Sequence, residues 1–217
     1  MTYLSLTCDR MPASNLSLWL LPKQSSPENE ALSGVIQNLA TKYQKYPHLP
    51  HVTLSILPEK FPLVVVNSVL EEMKGELFKE TVEFETLFTS RGAIMVHGKH
   101  DNHLAELQKK WHTRLAEELQ RCVDNGELNE EELRQEGVSM DVKNVVPWFP
   151  HLSIAYTNTG HQEGIDELEA KGSYKPSPPI ELGGYTGYKI GAIFAAYCGG
   201  LKAEKWKIFM RLEDESY

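Results

Sequence analysis

A short pattern occurs twice in this chain, and its repetition constrains the fold more than any other feature. The first copy is His-Val-Thr-Leu, starting at His51, and the second is His-Leu-Ser-Ile, starting at His151. Each copy alternates polar and apolar residues, which is typical of a strand with one buried face. Because successive side chains of a strand point to opposite faces, each histidine is predicted to share a face with the hydroxyl residue two positions later, Thr53 or Ser153.

The elements around the two copies follow one another in a similar order in both halves of the chain. The first half reads as strand, helix, strand, helix and two strands, and the second as helix, strand, helix and two strands. Ser26 and Pro27, for example, are typical of a helix start, and apolar residues at helical spacing follow them. We therefore predict an α+β, bilobal and pseudo-duplicated fold, in which two mainly antiparallel sheets with outer helices face each other across a central groove.

The length of 217 residues suffices for one sizeable domain or for two small lobes that share a core. We predict a single bilobal domain over residues 1–217, with an N-terminal segment, 1–15, that is expected to lack order. The segment 124–146 holds seven acidic residues against two basic ones and is predicted to be an acidic surface insert. The sequence leaves open whether translation begins at Met1 or at Met11.

The net charge of −8 and the cysteine content limit the partners and the compartment. An acidic chain with no broad basic face is poorly suited to bind a long nucleic acid. The three cysteines show no spacing typical of a metal site and suit a reducing compartment. No secretory signal is recognisable, and the longest apolar run, 190–198, is too short to span a bilayer. We expect a cytoplasmic protein, with the nucleus as the alternative, that is monomeric and does not contact membranes.

Two imidazoles and two hydroxyls at one groove suit the opening of a cyclic phosphate. A histidine can act as base or as acid near neutral pH, so two of them can divide the proton transfers. The hydroxyls of Thr53 and Ser153 can donate to non-bridging phosphate oxygens, where negative charge resides in the transition state. Neither a cofactor nor a metal is expected for this reaction. A single strand of this kind is usually structural, but two copies are expected by chance in on the order of one sequence in a hundred.

The two tetrapeptides resemble the signature of the two-histidine (2H) phosphoesterases, and the resemblance extends from "LSLWLLP" at 16–22 to "KWKIFMRLE" at 205–213. Within that family, the first strand ending in proline and the later "PHVTL" resemble the cyclic nucleotide phosphodiesterases of fungi and plants. The resemblance implies a bilobal, metal-independent enzyme that opens ADP-ribose 1″,2″-cyclic phosphate and nucleoside 2′,3′-cyclic phosphates. It also implies that the nucleoside product keeps its phosphate on the 2′ oxygen, in a pathway that follows tRNA splicing.

The same resemblance implies roles for individual residues. His151 would activate water, and His51 would protonate the leaving oxygen. Tyr156 matches a tyrosine that lines the pocket in the plant members, although strand alternation would point it away from the groove unless a bulge or the strand end intervenes. Two features depart from the family pattern: Ser153 stands where threonine is commoner, and the acidic insert is not part of the signature.

Two further groups of residues are candidates for binding. Trp148 and Phe149 lie just before the second motif, and an aromatic face can stack on a base, so Trp148 is predicted to line the substrate pocket. His97, His100 and His103 are spaced three apart and could hold zinc or nickel. We favour a strand end followed by a helix start for these histidines, because no cysteine or second cluster supports a metal site.

The sequence thus favours a phosphodiesterase that acts on small cyclic phosphate nucleotides. One alternative is a 2H enzyme acting on RNA 3′ ends, by opening terminal cyclic phosphates or by trimming nucleotides. Another is a nucleotide-binding module without catalysis. The charge argues against the first alternative, and the presence of both histidines and both hydroxyls argues against the second. The base preference cannot be read from the sequence.

Overall fold

The computed structural model describes residues 15–90, 93–98, 102–142, 150–156, 174–175, 180–198 and 203–215. The helices are α1 (Pro27–Lys42), α2 (Leu63–Leu77), α3 (Asn102–Asp124) and α4 (Glu130–Gln135). The strands are β1 (Asn15–Pro22), β2 (Val52–Pro58), β3 (Thr81–Ser90), β4 (Ala93–Gly98), β5 (His151–Tyr156), β6 (Tyr174–Lys175), β7 (Glu181–Leu182), β8 (Gly187–Cys198) and β9 (Lys207–Glu213). The α+β class is confirmed.

Within the described residues, the long strands form one seven-stranded sheet in the order β1-β2-β5-β4-β3-β8-β9, and β6 and β7 form a separate pair. All of these pairings are antiparallel, as predicted. The sequence predicted two sheets, whereas the strands of the two halves are hydrogen-bonded into one. The reason is that β1 pairs with β8 along its whole length and β2 meets β5, so strands from both halves are neighbours.

The first strand, β1, is buried on both faces and lies between two clusters of apolar side chains. Leu16, Leu18 and Leu20 point into the main core, where they pack with residues of the helices. Trp19 and Leu21 point to the opposite face and pack in a smaller cluster, whose other buried members are Ala192, Phe194 and Ala196 of β8. Burying a leucine stabilises a fold by about 1.5–3 kcal/mol, so β1 is firmly fixed. The smaller cluster forms the floor beneath the candidate site.

The start and end of α1 set the path of the chain into β2. The Ser26 side chain accepts a hydrogen bond from the backbone N–H of Asn29 at 3.2 Å, so the predicted N-cap is confirmed. After α1, residues 43–51 form no regular helix or strand and lead to β2. Pro47 and Pro50 lie in this connection, and Pro50 is buried. The connection brings three residues of the candidate site, His48, Leu49 and His51, to the first motif strand.

The acidic segment is attached to the core through its apolar residues. The segment contains the short helix α4, which is capped by Asn129. Leu133, Val138 and Val142 are buried in the main core, while the acidic side chains at 130–132 are exposed. The segment therefore contributes to packing as well as to surface charge.

Other expectations from the sequence concern the hairpin, the closing strands and membrane crossing. The two strands predicted at the end of each half are confirmed, and they pair as β3 with β4 and as β8 with β9. The short helix expected near 163–171 and the N-terminal segment up to residue 14 lie outside the described residues. In the part of the chain that the structure describes, every helix is too short or too polar to cross a membrane.

Candidate active site

The two motif strands present their polar residues on one side and their aliphatic residues on the other. Val52 and Leu54 of β2 are fully buried in the main core, and so are Leu152 and Ile154 of β5. Of the polar residues between them, His51 is 6% exposed, and Thr53, His151 and Ser153 are partly buried. The predicted alternation is confirmed for both motifs.

The two motifs lie side by side in the sheet. Val52 of β2 pairs directly with Leu152 of β5 in antiparallel register. Each of these residues follows its motif histidine, so the pairing brings His51 and His151 close enough to influence each other's charge. The sequence placed the motifs on facing walls of a groove, whereas the structure places them on adjacent strands, because the two halves share one sheet.

The surroundings of His51 fix its tautomer and keep it neutral. Its Nδ1 lies 2.8 Å from the carbonyl oxygen of Leu49, which can only accept, so Nδ1 carries the proton and Nε2 is free to accept one. The ring stacks on Trp19, with centroids 4.1 Å apart and planes at 21°. Burial, followed by the neighbouring imidazole of His48, lowers the pKa of His51 to about 3, against the opposing effect of the Leu49 carbonyl. His51 is therefore a neutral imidazole at physiological pH.

A β-bulge in β5 brings Tyr156 to the polar side of the motif. Met95 of β4 pairs with Ser153, but the preceding residue, Ile94, pairs with Ala155, so β5 contains one extra residue. Ile154 and Ala155 are both buried. Tyr156 consequently lies beside Ser153, with which it shares a side-chain hydrogen bond, and burial raises the pKa of its phenol to about 12. The bulge that the sequence required for Tyr156 is present.

Two residues of the site were missed by sequence reasoning, His48 and Trp206. The Nε2 of His48 donates to the carbonyl oxygen of Ser153 at 2.8 Å. The His48 ring lies 6.0 Å from that of His51 and 5.0 Å from that of Tyr156, measured between centroids. Trp206 lies 5.9 Å from both histidines and 6.0 Å from Tyr156. His48 precedes His51 by three residues in "HLPH", which was an available signal, whereas nothing in the local pattern marks Trp206.

Two of the three histidines considered as a metal cluster lie within the described residues, and each has a different partner. His97 of β4 is the register partner of His151 and contacts Phe88, with ring centroids 3.8 Å apart. His103 at the start of α3 pairs with Glu80 at 2.8 Å on the surface. His100 lies outside the described residues, and within those residues no three His, Cys, Asp or Glu side chains converge as metal ligands would. His97 thus belongs to the neighbourhood of the second motif.

An open pocket of about 350 Å³ adjoins His48 and Trp206. Its walls come from α1, from the connection into β2 and from the residues around the start of β9, and they include Ser33, Gln37, Pro47, Leu49 and Ile208. Trp19, which stacks on His51, also lines it. The pocket therefore opens beside the first motif. Trp148, which was predicted to line the substrate pocket, lies outside the described residues, as does Phe149.

Comparison with protein families identifies the group to which this site belongs. The model of the cyclic phosphodiesterase-like proteins matches residues 14–170, a stretch that includes both motifs. The chain belongs to the cyclic phosphodiesterase-like family. This family lies within the 2H phosphoesterases, so the resemblance found in the sequence is confirmed. A search of the curated proteins by sequence found no match.

Several solved structures match this chain over most of its length. Escherichia coli LigT complexed with 3′-AMP is 11% identical, with a TM-score of 0.46, covering 93% of this chain and 98% of LigT. LigT in its apo form is likewise 11% identical with a TM-score of 0.46, covering 92% of this chain and 96% of LigT. A further protein, described as a phosphoesterase, is 9% identical with a TM-score of 0.43, covering 93% of this chain and 98% of its own.

Proposed function

We propose that this member of the family is a metal-independent phosphodiesterase that opens five-membered cyclic phosphates. Its catalytic residues are His51 and His151, and the hydroxyls of Thr53 and Ser153 bind the phosphate. The observation that carries the proposal is the direct pairing of Val52 with Leu152, which sets the polar residues of both motifs next to each other. Family membership supports the same reaction class.

The reaction needs one proton acceptor and one proton donor. An imidazole base takes a proton from water as the water oxygen forms a bond to phosphorus. The bond from phosphorus to the 3′ oxygen breaks, and an imidazolium acid gives that oxygen a proton, which leaves the phosphate on the 2′ oxygen. Hydroxyls that donate to the non-bridging oxygens stabilise the charge of the transition state. The two imidazoles exchange protons with solvent before the next turnover.

The surroundings of His51 support its assignment as the base. Its Nδ1–H is held by the Leu49 carbonyl, and its Nε2 is left unprotonated. A base needs an unprotonated nitrogen when the substrate binds, and the Leu49 carbonyl holds His51 in the tautomer whose Nε2 is unprotonated. We therefore propose His51 as the residue that activates water and His151 as the donor, the reverse of the roles that the family resemblance implied.

Tyr156 supports the phosphate-binding role of Ser153. The two side chains share a hydrogen bond. This bond orients the Ser153 side chain, whose hydroxyl is proposed to bind the phosphate. Tyr156 is therefore proposed to contact the substrate site through Ser153.

The substrates that we propose are nucleoside 2′,3′-cyclic phosphates and ADP-ribose 1″,2″-cyclic phosphate, which arise after tRNA splicing. The pocket of about 350 Å³ beside His48 and Trp206 would receive the nucleoside, because an aromatic face can stack on any base. Trp148 is proposed as a further contact to the base. The net charge of −8 supports small substrates over long nucleic acids. A cytoplasmic monomer remains our proposal for the state of the protein.

Turnover in the presence of EDTA tests this function. The protein is incubated with 2′,3′-cyclic AMP, with ADP-ribose 1″,2″-cyclic phosphate and with a short RNA that ends in a cyclic phosphate. We expect both small substrates to be opened in EDTA, and the cyclic AMP to yield the 2′-phosphate. Loss of turnover in EDTA would contradict the two-imidazole reaction, and a preference for the RNA would favour the alternative role at RNA ends.

A further inference from the structure

The two motif strands share a short stretch of backbone pairing. Across the described residues of β2 and β5, the ladder has the single register pair Val52 with Leu152. By contrast, β1 pairs with β8 along its full length. The ladder thus ends before Ser153, so other contacts must set the position of this residue relative to β2.

His48 supplies such a contact. Its Nε2–H donates to the carbonyl oxygen of Ser153 at 2.8 Å, which connects the segment before β2 to the second motif across 105 residues of sequence. The bond falls immediately beyond the single pair of the β2–β5 ladder, while Ser153 pairs with Met95 of β4 along the other edge of β5.

The contacts around the His48 ring restrict its orientation. The ring meets His51 edge to face at 6.0 Å and lies 5.0 Å from Tyr156 and 5.9 Å from Trp206. These neighbours limit rotation of the imidazole, so the Nε2–H is held toward the Ser153 carbonyl. Loss of solvation also lowers the pKa of His48, which keeps the ring neutral beside His51.

We propose that His48 is a positioning residue of this site, which fixes the Ser153 hydroxyl relative to His51 by holding the Ser153 carbonyl. The effect on catalysis rests on the proposed function. In the transition state, the Ser153 hydroxyl must donate to a phosphate oxygen while His51 accepts a proton from the attacking water. A misplacement of about 1 Å can reduce a rate by about 100-fold, so the loss should fall on kcat more than on KM.

Two substitutions distinguish the effect of the His48 hydrogen bond from the effect of its aromatic ring. His48→Phe keeps an aromatic ring and removes the donor, whereas His48→Gln keeps an N–H at nearly the position of Nε2. We expect His48→Phe to lower kcat by about 10- to 100-fold with KM changed less than about threefold, and His48→Gln to retain kcat within about fivefold. Tyr46→Ala, at an exposed position of the same connection, should match the wild type. Wild-type kcat in His48→Phe, or equal losses in both variants, would overturn the proposal.

Amide hydrogen exchange gives a second readout that does not depend on turnover. His48→Phe should accelerate exchange of the amides at 152–155 relative to those of β1, and His48→Gln should not. Uniform acceleration, or none, would contradict the positioning role. If the wild type opens no cyclic phosphate, the proposed function fails, while this comparison still decides whether His48 holds Ser153.

Discussion

Acidification should weaken the fold through His112, which lies in a buried polar network between α3 and β2. The His112 residue is 7% exposed. The side-chain amide of Gln108 donates to its Nδ1 at 2.9 Å, so its Nε2 carries the proton and donates to the Ser55 hydroxyl oxygen at 2.9 Å. Burial lowers the pKa of His112 to about 4.

The sign of the effect follows from the two pKa values. In the unfolded chain, His112 takes up a proton near its ordinary pKa of about 6.5. In the folded protein the imidazole stays neutral until about pH 4, so the unfolded state binds more protons between these values. The stabilisation is fully present above about pH 6.5 and is lost as the pH falls toward 4. The difference between the pKa of His112 in the unfolded chain and its pKa in the folded protein corresponds to about 3 kcal/mol in the free energy of unfolding.

Urea denaturation at about pH 7.5 and about pH 4.5 measures this loss. We expect His112→Leu to lose about 2–3 kcal/mol less than the wild type between the two pH values, even if the variant is less stable at both. Gln108→Leu is the matched control, because it disturbs the same network and keeps the imidazole, so the wild-type loss should remain. An identical pH dependence of His112→Leu and the wild type would refute the reasoning.

Three further predictions concern the site. With His51 as the base, kcat/KM should not decrease between about pH 7 and about pH 5, because burial lowers the pKa of His51 to about 3. A decrease in kcat/KM below about pH 6.5 would contradict the assignment. Tyr156→Phe removes a hydrogen bond to Ser153 and should lower kcat/KM by about 3- to 10-fold in steady-state assays. An unchanged kcat/KM would contradict the proposed role of Tyr156 at the substrate site. Leu54→Ala shortens a fully buried side chain behind the first motif and leaves a cavity. It should lower the free energy of unfolding, measured in urea, by about 2–5 kcal/mol. A decrease of less than about 1 kcal/mol would contradict the packing of Leu54 in the main core.

Local patterns accounted for the parts of the structure that depend on near neighbours in sequence. The alternation at Val52 and Leu54 followed from the two-residue period of a strand, and the Ser26 cap from the residues around a helix start. Both motifs could therefore be placed on strands, with their histidines and hydroxyls on one face.

Contacts between distant segments were less accessible to sequence reasoning. The direct pairing of β2 with β5 depends on packing across about 100 residues, so the sequence led to a prediction of two sheets where the structure has one. The bulge between Ser153 and Ala155 leaves no mark in the alternation, which is why the orientation of Tyr156 stayed undecided. His48 lies in an irregular connection, where no period identifies the side chains that reach a neighbouring strand.

Turnover of 2′,3′-cyclic AMP by single histidine variants tests the central claim most directly. His51→Asn and His151→Asn each remove one proton-transfer group, and each should lower kcat by about 10²- to 10⁴-fold in EDTA. His103→Asn removes an imidazole that is exposed and paired with Glu80, so its kcat should equal that of the wild type. Wild-type turnover in either His51→Asn or His151→Asn, with the folded state verified, would contradict a reaction carried by two imidazoles.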